Sequence, residues 1–529
     1  MPEIISRLPT QAALGRFLWS NGVTCIGRLS TPRGKSDHRM QVTCMRLTRS
    51  IFLVYAGLFL LTSLSACIAA ATEWTQDSFS KIVELGGAVG LLNLEIKATP
   101  AEIGTNGVAT YLLYLTKYEH EHLSMLTASL VQEDDDSQEL DLEITPLGAL
   151  EFDDDTIKYA IDVPMEKLRA VNLLVNAVFL HITSPLPKEL EQGEHQMLLW
   201  NGDAEPRTPY ATSSASVSIR TPDPIITVDS SVDSKRNDNT VEFGPFNDVR
   251  AYTVDSQPVA QGRVHFTYSR PVIAFVDYKR HVEVSHWGDN MATQDSILLR
   301  NVGPKLKGHF SRSLHMINMH INPLAERVSQ VQSLPLYLPS GAKDVYYVDA
   351  TGNVSTSSLS PTPKMLGMPR RLDIRPRFPV LGGWNYSFTV GWNERMSQHG
   401  IARWNPAKPW RTRIAVPFLI SPKTAAIDVA NLTIALPEGA TDIQVMLPFQ
   451  VDSMETSTYP TYLDTVGRPI VSISRAKCSF MNSKVVFVEY TLPLSSYARK
   501  PLCVALAVLL VFFVSAFVSR QVAPTQHMK

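Results

Sequence analysis

The segment Glu119-His120-Glu121-His122 contains the residues best suited to metal chemistry in this chain. If the segment forms a β-strand, the alternation of side chains places His120 and His122 on one face, close enough to share an ion. A protein zinc site needs at least a third ligand, and none can be identified in the sequence. The HExxH pattern of zinc peptidases is also absent. We therefore predict no metal site at this segment.

Two acidic runs offer oxygen ligands of the kind that calcium prefers. They are Glu133–Asp136 and Asp153–Asp155, and neither has the D-x-D-x-D-G spacing of a calcium-binding loop. Both are predicted to be solvated hairpin loops. The sequence also lacks the G-x-S-x-G nucleophile elbow, the P-loop and the G-x-G-x-x-G fingerprint. The absence of these patterns predicts a chain without catalytic residues and without a cofactor.

Three Asn-X-Ser/Thr sequons could accept a glycan if they reach the lumen of the secretory pathway. They begin at Asn353, Asn385 and Asn431, and none has proline in the middle position. Asn353 is the strongest candidate, because it follows a glycine in a predicted turn. Asn385 follows Trp384 and is expected to be partly buried.

The bulk properties predict a folded protein of more than one domain. A chain of 529 residues exceeds the size at which one hydrophobic core keeps growing. With 44% hydrophobic and 19% charged residues, its composition is typical of a globular protein. The formal net charge of -1 and the absence of Lys/Arg runs argue against nucleic acid as a partner. Cys478 alone lies between the two terminal apolar regions, so no internal disulfide is predicted there.

The first apolar segment has the order of a secretory signal peptide. Arg46 and Arg49 precede the apolar core Ile51–Leu61, and the small residues Ala69–Ala71 follow as a cleavage site. We assign residues 45–71 to the signal peptide and expect the mature chain to begin near Thr72. Residues 1–44 are interpreted as an N-terminal extension, untranslated or disordered. An uncleaved anchor remains the alternative interpretation.

The second apolar segment predicts a single transmembrane helix at residues 501–519. Its uncharged core, Leu502–Val518, would span about 25 Å, at the short end for a bilayer crossing. Pro501 is expected in its first turn. A buried core helix is the competing interpretation, but the segment is apolar on every face and lies at the C-terminus. A cleaved signal followed by this segment predicts a type I membrane protein with a cytosolic tail at residues 520–529.

The region between these segments is predicted to be mainly β. Short runs that alternate or are rich in β-branched residues are punctuated by proline and glycine, which is typical of antiparallel, sandwich-like sheets. A helix is predicted around Met165–Leu173, and none is obvious elsewhere in this region. A faint internal repeat relates Ile82–Ile96 to Val282–Leu299, and each unit would open with a strand pair. We therefore predict two tandem β-sandwich-like domains, at residues 72–270 and 271–498.

Six sequence blocks, taken in order and at their spacing, resemble the ribophorin I family of oligosaccharyltransferase subunits. The blocks are Phe243–Val249, Val282–Gly288, Asp344–Tyr347, Gly352–Ser357, Ile374–Pro379 with Gly382–Trp384, and Thr461–Pro469. The resemblance is dense from about Phe243 to Pro469 and thinner back to about Phe79.

The resemblance implies a non-catalytic accessory subunit of the complex that N-glycosylates nascent proteins. It implies two related lumenal β domains, similar to the N-terminal β domain of zinc aminopeptidases, and residence in the endoplasmic reticulum membrane with most of the chain lumenal. The implied partners are the catalytic multispanning subunit, other subunits, membrane lipid and nascent polypeptide. Within the block Val282–Gly288, His286 and Trp287 are expected to pack at the junction between the two domains.

The sequence departs from the animal family members in one respect, and it leaves one rival interpretation of the function. Only Gln521–Lys529 follow Arg520, whereas animal family members carry a long cytosolic region implicated in ribosome docking, so that role is not carried over. The rival is an independent type I membrane receptor or chaperone with β-sandwich ectodomains. It shares the predicted topology, sequons and fold class with the accessory subunit.

Overall fold

Alternation of apolar and polar residues makes most of this chain into β-strands. In the strand Val89–Pro100, Leu92, Leu94, Ile96 and Ala98 are buried and the residues between them are partly or fully exposed. This two-residue period belongs to a strand with one face against a core. The predicted mainly-β fold class is confirmed, with several sheets and one apolar helix at the C-terminal end of the described chain.

The computed structural model describes residues 73–102, 107–131, 139–165, 168–321, 328–361, 368–398, 401–404, 410–461 and 464–522. The predicted N-terminal extension and signal peptide lie outside the described residues. So do the acidic run Glu133–Asp136 and most of the predicted cytosolic tail.

The first half of the described chain contains fifteen strands. They are β1 (Trp74–Glu84), β2 (Val89–Pro100), β3 (Val108–Thr116), β4 (Leu123–Val131), β5 (Glu139–Leu150), β6 (Asp153–Pro164), β7 (Val171–Leu180), β8 (Thr183–Pro185), β9 (Glu189–Leu190), β10 (Met197–Asp203), β11 (Thr212–Arg220), β12 (Ile225–Ser230), β13 (Ser234–Arg236), β14 (Thr240–Val249) and β15 (Gln261–Thr267). Their main sheet has the order β13-β14-β11-β1-β2-β7-β4-β5-β6-β3, and a smaller one has the order β12-β15-β10-β8.

The second half of the described chain contains sixteen strands. They are β16 (Ile273–Ser285), β17 (Asn290–Asn301), β18 (Lys305–Leu306), β19 (Leu334–Leu338), β20 (Lys343–Asp349), β21 (Gly352–Asn353), β22 (Ser358–Leu359), β23 (Arg370–Ile374), β24 (Asn385–Arg395), β25 (Ala402–Trp404), β26 (Arg411–Pro417), β27 (Ala426–Ala435), β28 (Thr441–Met446), β29 (Ser453–Tyr459), β30 (Arg468–Cys478) and β31 (Val485–Thr491). The main sheet here has the order β21-β20-β24-β17-β16-β27-β30-β29, beside sheets ordered β25-β26-β31-β28 and β19-β23-β22.

The two halves share one strand order. Each main sheet is built on an antiparallel hairpin, β1–β2 or β16–β17, whose first strand has a parallel neighbour, β11 or β27. The order β14-β11-β1-β2-β7-β4 therefore corresponds to β30-β27-β16-β17-β24-β20, and β12-β15-β10-β8 corresponds to β28-β31-β26-β25. The strand pair that the faint sequence repeat predicts at the start of each unit is present in both.

Three α-helices and a short 3₁₀ helix (Phe480–Asn482) are described. The α-helices are α1 (Lys117–Glu121), α2 (Arg312–Ile321) and α3 (Leu494–Val522). The helix predicted around Met165–Leu173 is wrong. There β6 ends at Pro164 and β7 begins at Val171, and in β7 every second residue from Val171 to Val175 is buried, which is a strand period.

The buried apolar side chains form two clusters, one centred on each half. Contacts join the halves directly: Ala274 and Ala426 pack on the first cluster, β9 pairs with β18, and the His181 ring lies 2.9 Å from the Asp428 carboxylate. The domain limits 72–270 and 271–498 stay a prediction. In the chain, α3 directly follows β31, the last strand of the second half.

Candidate functional site

A cavity of about 600 Å³ lies between the first turns of α3 and the end of the second half that faces this helix, which we call its base. Its walls come from the end of β16, the turn after β27, the start of β30 and the first half of α3. The lining residues are Val284, Ser285, His286, Trp287, Pro437, Glu438, Arg468, Leu492, Ser496, Tyr497, Lys500, Pro501, Val504 and Ala505. We call it the base cavity.

His286 links the sheet to the helix through two aromatic side chains. Its Nε2 lies 2.7 Å from the hydroxyl of Tyr490 on β31. Its ring meets Tyr490 and Tyr497 edge-on, with centroids 5.8 and 5.9 Å away. Burial lowers the pKa of His286, which favours the neutral ring at neutral pH. The neutral imidazole therefore packs between Tyr490 on β31 and Tyr497 on α3.

Glu438 stands in the turn after β27, with only 6% of the residue exposed. Its Oε1 accepts hydrogen bonds from the Thr465 amide and hydroxyl, both at 2.6 Å, and from the Val466 amide at 3.0 Å. Burial alone would raise the pKa of Glu438, but these bonds outweigh it and hold the pKa below its usual range. The carboxylate is therefore charged, and its buried Oε2 has no hydrogen-bond partner.

A second buried carboxylate, Asp464, ties the loop before β30 to the helix. The Lys500 ammonium on α3 lies 2.7 Å from Asp464 Oδ1, and the Thr461 amide donates to Oδ2 at 2.8 Å. Burial would raise the pKa of Asp464, but the bonds from Lys500 and Thr461 lower it overall. The turn after β27 also lies close to α3, at Gly439. The φ of Gly439 is +80°, and its close approach to the Ser496 hydroxyl leaves no room for a side chain.

Two of the blocks that carry the family resemblance, Val282–Gly288 and Thr461–Pro469, therefore meet at the base cavity. Sequence reasoning missed this meeting, because it depends on the order β16-β27-β30 in the sheet. It also placed His286 and Trp287 at the junction between the two halves, which is wrong. His286 packs on α3, and Trp287 is 67% exposed beside it.

The first turn of α3 was misplaced as well. The helix begins at Leu494 and contains Pro501 in its interior, whereas the sequence predicted Pro501 in the first turn. The charges at Arg499 and Lys500 mark where the apolar run begins, which is a different boundary from the start of the helix. Contacts of Ser496 with Gly439 in the turn after β27, and of Lys500 with Asp464 in the loop before β30, hold the extra turns in place.

The three sequons lie in the second half, at sites of different accessibility. Asn353 is exposed, and its carbonyl accepts a hydrogen bond from Arg377 Nη2 at 2.9 Å. Asn385 is also exposed, contrary to the expected partial burial, and its Oδ1 accepts from Arg300 Nε at 2.8 Å. Asn431 is half-buried in β27, a strand paired on both sides.

Three further blocks of the resemblance converge next to Asn353. Arg377 forms an ion pair with Asp349, and the Tyr386 hydroxyl lies 2.7 Å from that of Tyr347. The Phe378 ring meets Tyr386 edge-on at 5.5 Å. These contacts fix the turn at Gly352–Asn353 against β24.

The first half has its own charged cavity, of about 490 Å³, whose lining includes Lys117, Glu119, Trp200, Asp203 and Arg207. The Lys81 ammonium lies 2.9 Å from Glu119 Oε1, and Arg207 pairs with Asp203 at 2.9 Å and with Asp153 at 3.1 Å. We call this group the first-half charged cluster.

The strand considered for Glu119–His122 does not form, because these residues belong to α1 and its C-cap. Thr116 and Glu119 form a capping box, which the T-x-x-E pattern could have revealed. His120 contacts the Tyr159 hydroxyl, and His122 contacts the Leu180 carbonyl. In the described residues, no three His, Cys, Asp or Glu side chains are grouped to hold a metal.

The expectation of a loop at Asp153–Asp155 is also wrong, because all three residues lie in β6, and Asp153 is not fully solvated. Asp153 begins β6, and it accepts hydrogen bonds from Thr156 Oγ1 at 2.6 Å and from Tyr252 Oη at 2.9 Å. Asp154 and Asp155 are exposed as expected.

The sequence model of the ribophorin I family matches residues 74–519, which is most of the chain. The chain belongs to the ribophorin I family. Several relatives carry the name dolichyl-diphosphooligosaccharide–protein glycosyltransferase subunit 1. The Caenorhabditis elegans protein is 27% identical over 85% of this chain and 72% of its own length. The Arabidopsis thaliana subunit 1A is 29% identical over 60% and 48%, and subunit 1B is 25% identical over 88% and 96%.

Solved structures that match this ribophorin I family member do so only weakly. An M1 zinc metallopeptidase from Deinococcus radiodurans is 10% identical over 42% of this chain and 43% of its own, with a TM-score of 0.24. Leukotriene A4 hydrolase from Saccharomyces cerevisiae is 11% identical over 39% and 31%, also with a TM-score of 0.24. Likeness at this level supports no functional conclusion.

Proposed function

We propose that this protein is a non-catalytic accessory subunit of the oligosaccharyltransferase complex. The complex transfers a dolichol-linked oligosaccharide to Asn in Asn-X-Ser/Thr of nascent proteins, and the active site lies in another subunit. Membership of the ribophorin I family and the names of the relatives support this proposal. The observation that carries the proposal is the base cavity. There, two blocks of the family resemblance contact α3, the helix that is apolar enough to span a membrane.

The proposed topology is that of a single-pass protein whose β body lies in the lumen. Among the described residues, one helix, Leu494–Gln521, is long and apolar enough to span a bilayer. A body at residues 72–498, built as two β domains, would stand above it in the endoplasmic reticulum, with the tail in the cytosol. In this topology Asn353, Asn385 and Asn431 are all lumenal, and Asn353 and Asn385 are the accessible glycosylation sites.

The proposed partners are the catalytic multispanning subunit and other subunits of the complex. Helices gain little from apolarity alone in lipid, so α3 must recognise its neighbours by close packing and occasional hydrogen bonds. Ser515 and Ala516 are small enough to allow such an approach.

Nascent polypeptide is a further proposed partner, supported by α2. This helix has no buried residues, and Leu314, Met316, Ile317 and Ile321 are exposed on it. Flexible methionine and aliphatic side chains can adapt to varied apolar segments.

Purification of the full chain in mild detergent, followed by mass spectrometry, tests the proposal. We expect the catalytic multispanning subunit to co-purify in stoichiometric amount. A matched variant replaces Leu502–Val518 with an unrelated apolar helix and keeps the β body and Lys500. It should stay in the membrane and recover less catalytic subunit.

Recovery of the wild-type chain free of other subunits would contradict the proposal and favour the independent receptor or chaperone. If the helix-swapped variant recovers the complex in full, the β body alone holds the subunit in place.

A further inference from the structure

The base cavity straddles the boundary between the polar body and the apolar part of α3. Its upper wall carries Glu438, Arg468 and Lys500, and its lower wall is formed by Pro501, Val504 and Ala505. Lys500 is the last charged residue before the apolar run, so the lower wall lies within the first turns expected to enter lipid. Trp287 is exposed at the rim, and tryptophan is enriched at membrane–water interfaces.

The polar end of the cavity presents an unsatisfied buried anion. Glu438 Oε1 is saturated by Thr465 and Val466, whereas Oε2 has no partner. A buried carboxylate oxygen without a donor costs stability, so the site favours a ligand that brings an N–H group. Lys500 uses its short contact with Asp464 and still has N–H donors left for an anion.

We propose that the base cavity binds a phospholipid whose headgroup carries a primary ammonium, of the phosphatidylethanolamine class. The ammonium would donate to Glu438 Oε2, and the phosphate would lie at Lys500 and Arg468. One acyl chain would follow Pro501, Val504 and Ala505 into the bilayer. This inference rests on the proposed placement of α3 in the membrane.

The chemistry of the cavity selects among lipids. The trimethylammonium of phosphatidylcholine has no N–H to donate, so it cannot satisfy Glu438 Oε2. Phosphatidylglycerol offers no cation to the carboxylate. Phosphatidylserine adds a carboxylate to the headgroup, which Glu438 and Asp464 would repel.

Native mass spectrometry of the full chain in detergent tests the proposal. Phosphatidylethanolamine, phosphatidylcholine and phosphatidylglycerol of equal chain length are added one at a time. We expect tighter binding of phosphatidylethanolamine than of phosphatidylcholine, and Glu438→Gln should reduce that preference about tenfold. The matched control is Glu455→Gln, because Glu455 is an exposed carboxylate on β29 that lies outside the cavity. It should keep the preference.

A second variant, Ala505→Phe, fills the apolar end of the cavity and keeps the test valid if Glu438→Gln fails to fold. It should weaken binding of every phospholipid while leaving the thermal unfolding of the β body unchanged. Full phosphatidylethanolamine binding in a folded Ala505→Phe protein would overturn the proposal.

Equal binding of all three lipids to the wild-type chain would also overturn it, and so would strongest binding of phosphatidylglycerol. In the purified complex, a photo-crosslinker at Val504 should capture lipid. Capture of another subunit there would assign the cavity to a protein partner instead. The lipid assay uses the chain alone, so its outcome is independent of whether the catalytic subunit co-purifies.

Discussion

Each half of the body has a buried cation at the same position of the shared strand order. The two halves differ in where the counter-ion of that cation comes from. Lys81 lies on β1, three residues before its last parallel pair, Glu84 with Arg220. Arg280 lies on β16, three residues before the corresponding pair, Glu283 with Ala435. Both side chains point between the two sheets of their half, with 8% and 1% of the residue exposed.

In the second half the counter-ion of the buried cation lies on the adjacent strand of the same sheet. Arg280 makes two hydrogen bonds to Asp295 on the neighbouring strand, at 2.7 and 2.6 Å, and donates to the Pro417 carbonyl at 2.7 Å. The Tyr278 hydroxyl donates to the same carboxylate at 2.7 Å. All groups of this network find partners within the core.

In the first half the residue facing Lys81 across the hairpin is Leu94, so the counter-ion must come from elsewhere. It comes from α1, whose Glu119 reaches the ammonium and caps its own helix at Thr116. The result is a cation beside a cavity of about 490 Å³. One scaffold thus gives a closed core or a charged cavity, depending on whether the counter-ion lies on the adjacent strand.

Removing the counter-ion should therefore cost far more in the second half. Asp295→Ala leaves Arg280 buried and unpaired, which should lower the free energy of unfolding by about 3–5 kcal/mol. Glu119→Ala removes a helix cap and a counter-ion that water in the adjoining cavity can replace, so we expect about 1–2 kcal/mol. Thermal unfolding of the full chain in detergent measures both, and equal losses would refute the contrast.

Exchanging the cation type sharpens the comparison. Arg280→Lys loses the paired hydrogen bonds to Asp295 and should cost about 2 kcal/mol. Lys81→Arg has room in the neighbouring cavity and should stay within about 1 kcal/mol of the wild type. The same unfolding assay applies. A larger cost for Lys81→Arg would show that the first-half cavity is as tightly packed as the second core.

The first-half ion pair should also make stability depend on pH. Burial would raise the pKa of Glu119, but Lys81 outweighs it and lowers the pKa in the folded state. The ionised carboxylate therefore contributes fully above its unfolded pKa of about 4.3, and the contribution is lost as the pH falls through the folded pKa. The difference in unfolding temperature between the wild type and Glu119→Gln should shrink on acidification. A constant difference would contradict the stabilising role of the pair.

The smallest effect is expected at the sequons, which all lie in the second half. Asn353→Gln removes an exposed acceptor and should change stability by less than about 0.5 kcal/mol. Peptide mapping should find glycan at Asn353 in part of the molecules and less at Asn431, which lies in a central strand. An always bare Asn353, or full occupancy at Asn431, would contradict these placements.

The sequence predicted the parts of the fold that rest on local pattern. The strand runs, the opening strand pair of each half and the apolar C-terminal helix follow from hydrophobic period and length. It failed where a short local signal was overlooked, as at the capping box of Thr116 and Glu119. It also failed where tertiary pairing decides, since the strand at Val171 is stabilised by its neighbours β2 and β4.

The base cavity could not be derived from the sequence, because its residues come from four separated segments. Glu438 stands outside every block of the family resemblance, and nothing in its local sequence indicates a buried carboxylate. Only the adjacency of β16, β27 and β30 brings it next to His286 and Lys500.

We propose that the chain supports oligosaccharide transfer without taking part in the chemistry. The first-half charged cluster combines a buried cation and carboxylates beside a cavity, as an acid–base site would, so it gives a direct test. The double variant Lys81→Met with Glu119→Gln should be assembled into the complex, and transfer to an acceptor peptide should be measured per assembled complex. We predict an unchanged rate. A fall of about a hundredfold or more, the size expected on removing a general acid or base, would contradict the account.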